Sequence, residues 1–147
     1  IERPDHFLDR FIKAGADNLT VHVEADHDVG ESLRRIRAAG VRAGLALRPE
    51  TDFSRVEPYL DQIDLLLVMT VVPGFGGQKF MLETMPSLEA AKKFREAKGL
   101  RFHLEVDGGV YEDTAKTARD HGANVLVAGT AAFGAADMAA AVRALRG

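Results

Sequence analysis

Residues 64–80 read DLLLVMTVVPGFGGQKF and join the most apolar run of the chain to a glycine-rich loop. The run at residues 64–71 is rich in Leu and Val, which predicts a buried strand of a parallel sheet. Pro73 fixes the exit from this strand, because a proline cannot donate to a sheet ladder. The glycines that follow let the backbone approach a ligand closely. The stretch therefore predicts a buried strand that leads into a binding loop.

Four further short runs follow the same pattern and alternate with longer segments of helical period. Such alternation is typical of βα units and a parallel sheet. The predicted strands span residues 18–23, 41–47, 64–71, 100–106 and 124–128. The predicted helices span residues 5–14, 29–39, 52–60, 85–97, 114–121 and 138–145. The sequence thus predicts an α/β fold in a single domain, residues 1–147.

The spacing of the strands singles out one connection. Predicted strands start at residues 18, 41, 64, 100 and 124, so the spacings are 23, 23, 36 and 24 residues. The long interval holds its excess in residues 73–84, and long connections in compact domains are usually functional. The local pattern fits both an open doubly wound sheet and part of a closed barrel. A closed eightfold barrel needs about 200 residues or more, so this chain would supply only part of one.

Composition excludes several classes of protein. The 147 residues are 46% hydrophobic and 28% charged, and the longest apolar run is too short for a bilayer span. A net charge of −3 argues against a nucleic-acid partner. The lack of cysteine excludes a disulfide scaffold and a thiolate zinc site, and it fits a reducing cytoplasm. Because the chain starts at Ile1 without a signal-peptide pattern, we expect it to be a piece of a longer protein.

The loop after the third predicted strand is the first candidate site. Gly74, Gly76 and Gly77 leave successive backbone N–H groups free to wrap an anion. The loop matches neither GxGxxG nor a P-loop, so an ordinary flexible lid is the alternative.

The fourth predicted strand leads into the second candidate site, Glu105-Val106-Asp107-Gly108-Gly109. His103, Glu105 and Asp107 share one strand face, since side chains alternate with a period of two. A carboxylate at the C-terminal mouth of a parallel strand suits acid/base or metal chemistry. The alternative is that Asp107 caps the following turn. We expect Glu105 and His103, deeper in the strand, to form a structural polar pair.

The end of the fifth predicted strand is the third candidate site. Gly129 and Thr130 would lie at the start of a short helix, where backbone donors favour an anion. Phosphate sites of barrels commonly form from the loops after the last two strands, so these loops predict one phosphate cup. At the first strand, His22 and Glu24 either line the same mouth or form a structural pair.

Four segments together closely resemble the ribulose-phosphate 3-epimerase family. They are VHVE at residues 21–24, VMTVVPGFGGQKF at 68–80, LEVDGGV at 104–110 and VLVAGTAAF at 125–133. The resemblance runs across essentially the whole chain. It implies a (β/α)8 TIM barrel that uses a divalent cation such as zinc, iron, manganese or cobalt. It also implies interconversion of D-ribulose 5-phosphate and D-xylulose 5-phosphate in the pentose phosphate pathway.

The resemblance assigns roles to ten residues. Those expected to bind the substrate, mostly through backbone N–H groups to its phosphate, are Gly74, Phe75, Gly76, Gly77, Gly108, Gly109, Gly129 and Thr130. The resemblance implies that Asp107 is both a metal ligand and an acid/base group on one face of the reacting carbon C3. It places Met69 in an apolar cover near that carbon.

The same resemblance implies that three other metal ligands, one of them the opposite-face base, lie on strands that precede Ile1. We therefore expect the 147-residue chain alone to bind metal weakly and to epimerise poorly. We also expect its unpaired strand edges to favour a homo-oligomer. Two alternatives stay open. One is an epimerase of another ketose phosphate such as allulose 6-phosphate, and the other is a noncatalytic phosphate-binding barrel remnant.

Overall fold

The computed structural model describes all 147 residues and is built on a five-stranded parallel sheet. The strands are β1 (Asn18–His22), β2 (Arg42–Leu47), β3 (Leu65–Met69), β4 (His103–Asp107) and β5 (Val125–Val127). They lie side by side in chain order, and every neighbouring pair is parallel. All carboxyl ends therefore meet at one edge of the sheet, as the alternating pattern predicts.

Helices and short 3-10 turns connect the strands. The helices are α1 (Leu8–Lys13), α2 (Val29–Ala38), α3 (Met85–Lys98), α4 (Glu112–Asp120), α5 (Thr130–Phe133) and α6 (Met138–Arg146). The 3-10 turns span Pro4–His6, Phe53–Arg55, Glu57–Tyr59 and Leu82–Thr84. None of the helices combines the length and the apolar character that a bilayer span requires.

Local sequence rules explain where the helices begin and end. α2 begins after Asp28, whose carboxylate accepts a hydrogen bond from the Glu31 amide at 2.8 Å. Asp137 caps α6 in the same way, by accepting from the Ala140 amide at 2.9 Å. α3 ends at Lys98 and is followed by Gly99, which adopts a left-handed φ of +64°.

One predicted helix is wrong in type. Residues 52–60 fold as two separate 3-10 turns instead of an α-helix. Pro58 lies in the middle of this segment, and a proline both lacks the N–H of a helical hydrogen bond and clashes with the preceding turn. A second difference concerns β4, which begins at His103 rather than at residue 100 and includes Asp107.

The core lies between the sheet and its helices. Leu45, Leu66 and Leu104 lie on neighbouring strands and are fully buried in one cluster with Leu33 of α2 and Leu88 of α3. Burial of such side chains stabilises the fold by about 1.5–3 kcal/mol each. The alternation of side chains thus places the helices on one face of the sheet.

The alternate side chains form the second face, which we call the open face. By register it carries Thr20, His22, Gly44, Ala46, Leu65, Leu67, Met69, His103, Glu105, Asp107, Val125 and Val127. Gly44 shows the register directly, because an added Cβ would lie 2.3 Å from the Thr20 hydroxyl oxygen. Several members, including Glu105 and Asp107, remain partly exposed. β1 and β5 each pair on one side only, and association through these edges stays a prediction.

Candidate functional site

The loops after β3, β4 and β5 meet in one cavity of about 200 Å³ at the carboxyl edge of the sheet. We call this cavity the glycine cup. It is lined by Gly76, Gly77, Gln78, Asp107, Gly108, Gly109, Val110, Tyr111, Val127, Gly129, Thr130 and Ala131. The predicted meeting of the three glycine-containing loops is confirmed, because parallel strands in chain order bring their ends together.

The glycine cup offers several backbone donors. The N–H groups of Gly76, Gly77, Gly109, Gly129 and Thr130 donate no hydrogen bond within the chain. Successive free N–H groups from turns make a concavity that suits an anion. α5 has only four residues, so its first turn supplies amides rather than a sizeable dipole. The cup therefore fits a small, strongly accepting group such as phosphate.

Asp107 provides the carboxylate of the cup. It is paired in register with Met69, and both residues line a second cavity of about 340 Å³ beside the cup. Burial raises the pKa of Asp107 above its ordinary range, and no hydrogen bond to the carboxylate offsets this effect. The capping alternative therefore fails, since the following turn donates nothing to this side chain. A carboxylate without a partner beside a cavity is free to accept a proton.

Thr70 holds Asp107 in place from the neighbouring strand. The Thr70 amide and hydroxyl each donate to the Asp107 carbonyl at 2.9 Å, and the hydroxyl also lies 2.6 Å from the Gly108 carbonyl. Thr70 is fully buried, so these bonds are shielded from water. Sequence reasoning did not select this residue, although it is the one polar residue within the run at 65–72.

The loop after β3 roofs the second cavity. Gly74 and Phe75 line this cavity rather than the cup, and the Phe75 side chain is largely exposed. The Gln78 side-chain amide donates to the carbonyls of Val72 and Phe75 at 2.7 and 2.9 Å. These bonds close the loop on itself, a role that sequence reasoning also missed. The substrate contacts predicted for Gly74 and Phe75 and the cover predicted for Met69 stay predictions.

The predicted polar pair of His103 and Glu105 is wrong. His103 Nδ1 lies 3.1 Å from the Asn124 side-chain nitrogen, and Glu105 has no hydrogen bond. The His103 ring is directed instead toward Asn124, the residue before β5, so it makes no hydrogen bond to Glu105. Burial raises the pKa of Glu105, the nearby Asp107 charge raises it further, and His103 opposes both.

Glu105→Gln should stabilise the fold at neutral pH. Because the pKa of Glu105 is raised in the folded state, the folded chain binds its proton more tightly than the unfolded chain does. The free energy of unfolding therefore falls as pH rises above the ordinary value of 4.5. Urea denaturation at a series of pH values from about 4.5 to neutral measures this effect. The free energy of unfolding should fall less over this pH range for the Glu105→Gln variant than for the unchanged chain. Glu96→Gln, at an exposed position of α3, is the control, and an equal change in both variants would contradict the assignment.

His22 and Glu24 form a polar pair at the end of β1. His22 Nδ1 lies 3.0 Å from a Glu24 carboxylate oxygen, and the other oxygen accepts from the Arg48 amide at 2.8 Å. Burial raises the pKa of Glu24, but the Thr51 hydroxyl, the Arg48 amide and the His22 ring together outweigh burial and lower it. Of the two alternatives stated for these residues, the polar pair is the one that the structure shows.

The chain's own side chains do not fit a metal centre. No three His, Asp or Glu side chains lie close enough together to hold an ion. Asp107 would be a single ligand, since Glu105 projects from a lower level of the same strand. Metal binding at Asp107 stays a prediction that needs further ligands.

Comparison with known proteins identifies relatives across the whole chain. A model of the ribulose-phosphate 3 epimerase family matches residues 1–133. The chain is 43% identical over 148 residues to a ribulose-phosphate 3-epimerase of Bacillus subtilis strain 168, covering 100% of this chain and 68% of that protein. It is 46% identical over 150 residues to the enzyme of the same name from Mycobacterium bovis, with 99% and 64% covered. The chain spans about two thirds of the length of these relatives.

Solved structures support the fold. The TM-score is 0.70 against 3-hexulose-6-phosphate synthase from Salmonella typhimurium, at 25% identity, with 96% of this chain and 65% of that chain covered. The TM-score against KGPDC from Streptococcus mutans is 0.71, at 17% identity, with 96% of this chain and 65% of that chain covered. These neighbours are TIM-barrel-like, which confirms the expectation that the five βα units are part of a barrel fold.

Proposed function

Because this chain belongs to the ribulose-phosphate 3-epimerase family, we propose that it acts in the interconversion of D-ribulose 5-phosphate and D-xylulose 5-phosphate. The observation that carries the proposal is the glycine cup with Asp107 at its wall. The cup suits the phosphate of a ketopentose, and the second cavity beside it has room for the carbon chain. The proposal makes the protein an isomerase of sugar phosphates.

The chemistry needs a base close to C3 and a fixed substrate. The Asp107 carboxylate takes the C3 proton, and the bonding electrons move toward the neighbouring carbonyl to give an enediolate. Return of a proton to the opposite face inverts C3, and this step needs an acid that faces Asp107 across the carbon. Binding of the distant phosphate orients C3, which lowers the barrier by fixing the geometry before reaction.

Asp107 suits the first step for two reasons. Its raised pKa makes the carboxylate a stronger base than an exposed aspartate. Its carbonyl is anchored by the buried Thr70, so the strand end that carries the carboxylate is held in one position. The metal implied by the resemblance would require ligands from outside this chain. The acid on the opposite face of C3 would also have to come from outside this chain.

A second candidate function is a phosphate-binding domain without activity of its own. The observation that favours it is the single carboxylate of the cup, since epimerisation needs groups on both faces of C3. An epimerase of a longer ketose phosphate, such as allulose 6-phosphate, is the neighbouring alternative. Competition between D-ribulose 5-phosphate and allulose 6-phosphate distinguishes the two epimerases. A phosphate-binding domain without activity would bind a sugar phosphate but convert neither of them. A cytoplasmic location and a homo-oligomeric state stay predictions.

Gly129→Ala tests the glycine cup directly. An added Cβ at Gly129 meets nothing within 4 Å, so the methyl group should fit the fold but obstruct a phosphate beside the Gly129 and Thr130 amides. Loss of a hydrogen bond to a charged group costs about 1.5–3 kcal/mol, so we expect roughly tenfold or greater loss of affinity. Calorimetric titration measures the affinity of each variant for inorganic phosphate and for D-ribulose 5-phosphate.

Gly30→Ala is the matched control for this experiment. Gly30 lies in α2, away from the cup, and an added Cβ makes only ordinary contacts, at 3.6 Å from the Asp28 carboxylate. We expect it to leave both affinities unchanged. Equal affinities of the Gly129→Ala variant and the unchanged chain would show that the phosphate binds elsewhere.

A further inference from the structure

We propose that His22 binds a hydroxyl group of the sugar chain while the glycine cup holds the phosphate, an inference that rests on the proposed function. His22 is the last residue of β1, the strand at the far side of the sheet from β5 and the glycine cup. It lies on the open face, level in register with Ala46, Leu67 and Glu105. The inference would give β1 a part in selecting the substrate.

The contact with Glu24 fixes which ring nitrogen of His22 carries the proton. The Glu24 carboxylate is ionised at neutral pH, because its pKa is lowered, and an ionised carboxylate can only accept hydrogen bonds. The nitrogen 3.0 Å away, Nδ1, must therefore be the donor. In the neutral ring this leaves Nε2 unprotonated, and Nε2 has no hydrogen-bond partner in the chain.

A second histidine holds the backbone of His22. His27 Nε2 lies 3.1 Å from the His22 carbonyl, and a carbonyl can only accept, so Nε2 is the donor. His27 Nδ1 then accepts from the hydroxyl of the buried Ser32 at 2.7 Å. The His22 main chain and one ring nitrogen are thus both fixed, while about a third of its side chain, 34%, stays exposed. This is the geometry of a preorganised contact rather than of a fully enclosed structural pair.

His22 lies on the same face of the sheet as Asp107, the carboxylate of the cup. Three strand spacings, roughly 14 Å along the sheet, separate β1 from β4. Ala46 of β2 lies between His22 and β3; it is small and fully buried among its neighbours, so it does not project between His22 and the second cavity, which includes Met69 of β3. In barrel-like sheets the strands curve so that inward-facing side chains approach one another. A sugar chain that leaves the cup along the open face therefore runs toward His22.

An unprotonated Nε2 accepts a hydrogen bond and cannot donate one. Its partner must be a donor, and the donors of a ketopentose phosphate are its hydroxyl groups, since the carbonyl only accepts. Inorganic phosphate, held in the cup, is too short to reach β1. The inference thus distinguishes the sugar phosphate from phosphate alone.

Nitrogen-15 NMR of the 147-residue chain tests both parts. Long-range proton–nitrogen correlations, recorded at a mildly alkaline pH where imidazole is neutral, should show the Nδ1–H tautomer for His22. D-ribulose 5-phosphate should shift the His22 Nε2 signal and the amides of Gly129 and Thr130. Inorganic phosphate should shift only the two amides. Glu24→Gln should reduce the tautomer preference, because an amide can donate as well as accept.

Two variants supply the binding measurement. His22→Phe keeps a ring but removes Nε2, so it should weaken D-ribulose 5-phosphate binding roughly three- to tenfold and leave phosphate binding unchanged. His103→Gln, on the same open face but at the opposite end of β4 from Asp107, is the control and should change neither affinity.

The possible outcomes separate the two proposals. A predominant Nε2–H tautomer, or shifts of the cup amides without a shift at His22, would overturn the role of His22 and leave the proposed function standing. If D-ribulose 5-phosphate moves neither set of signals, the proposed function fails and the role of His22 fails with it. Equal weakening of phosphate and sugar phosphate binding by His22→Phe would show a structural role only.

Discussion

Replacing Asp107 with Asn is expected to lower epimerase turnover by about 10²–10⁴-fold, the usual contribution of a general acid or base. The amide keeps the size of the carboxylate but cannot take the C3 proton. The free N–H groups of the cup are untouched, so binding of the phosphate should persist. A large loss of turnover with little change in phosphate affinity would identify Asp107 as the proton acceptor.

The measurement needs a protein with both faces of the site. The chain matches 68% of the Bacillus subtilis relative, so a chimera that joins it to the unmatched part of that relative is a suitable host. Conversion of D-ribulose 5-phosphate and exchange of the C3 proton with deuterated water would both be followed. The 147-residue chain alone, with divalent metal added, should turn over far more slowly than the chimera.

Glu112→Gln is the control for Asp107→Asn, because Glu112 is an exposed acid at the start of α4 with no ion pair. It should retain the turnover of the unchanged chimera. Full turnover of the Asp107→Asn variant would refute the assigned role. An inactive chimera that still binds D-ribulose 5-phosphate would favour the phosphate-binding domain without activity.

Gly109→Ala is expected to lower the free energy of unfolding by about 2–5 kcal/mol. Gly109 has a left-handed φ of +63°, which costs about 1–2 kcal/mol for any other residue. The added Cβ would also lie 2.4 Å from the Phe80 amide nitrogen, so the backbone must move. Such overpacking costs about 1–3 kcal/mol more. Urea denaturation with a probe of tertiary structure measures the loss.

Gly76→Ala provides the comparison within the same cup. Gly76 has no positive φ, and an added Cβ there meets no atom within 4 Å. Its free energy of unfolding should stay within about 0.5 kcal/mol of the unchanged chain. If both alanine variants unfold at the same urea concentration, the close approach of Gly109 to Phe80 does not stabilise the fold.

Local pattern was sufficient to predict the strands and the meeting of the three glycine loops. The β-branched and Leu-rich runs locate all five strands to within a few residues, since residues of these types favour strands and the face packed against the helices is apolar. Chain-order pairing then follows from the repeated βα unit. Gly76, Gly108 and Gly129 meet because each follows the end of a strand.

The contacts that depend on register were beyond the reach of local pattern. Thr70 reaches Asp107 across 37 residues of chain, and this bond exists only because Met69 is aligned with Asp107. Gln78 closes its loop through main-chain carbonyls, which sequence does not specify. The difference at residues 52–60 is local instead, since Pro58 within that segment disfavours an α-helix whatever the rest of the fold does.

The chain-order arrangement of the strands also bears on how the molecule is made. Each strand pairs only with the strand before it and the strand after it, so every ladder joins adjacent units of the chain. During synthesis the ribosome releases the chain from its N-terminal end, and each new strand meets a template that is already assembled. The segment of chain closed by each pairing is shorter than one between distant strands would be, so each pairing has a lower entropic cost of loop closure. The sheet can therefore form by adding one strand after another in chain order. None of the five strands has to pair with a strand that is distant in the sequence.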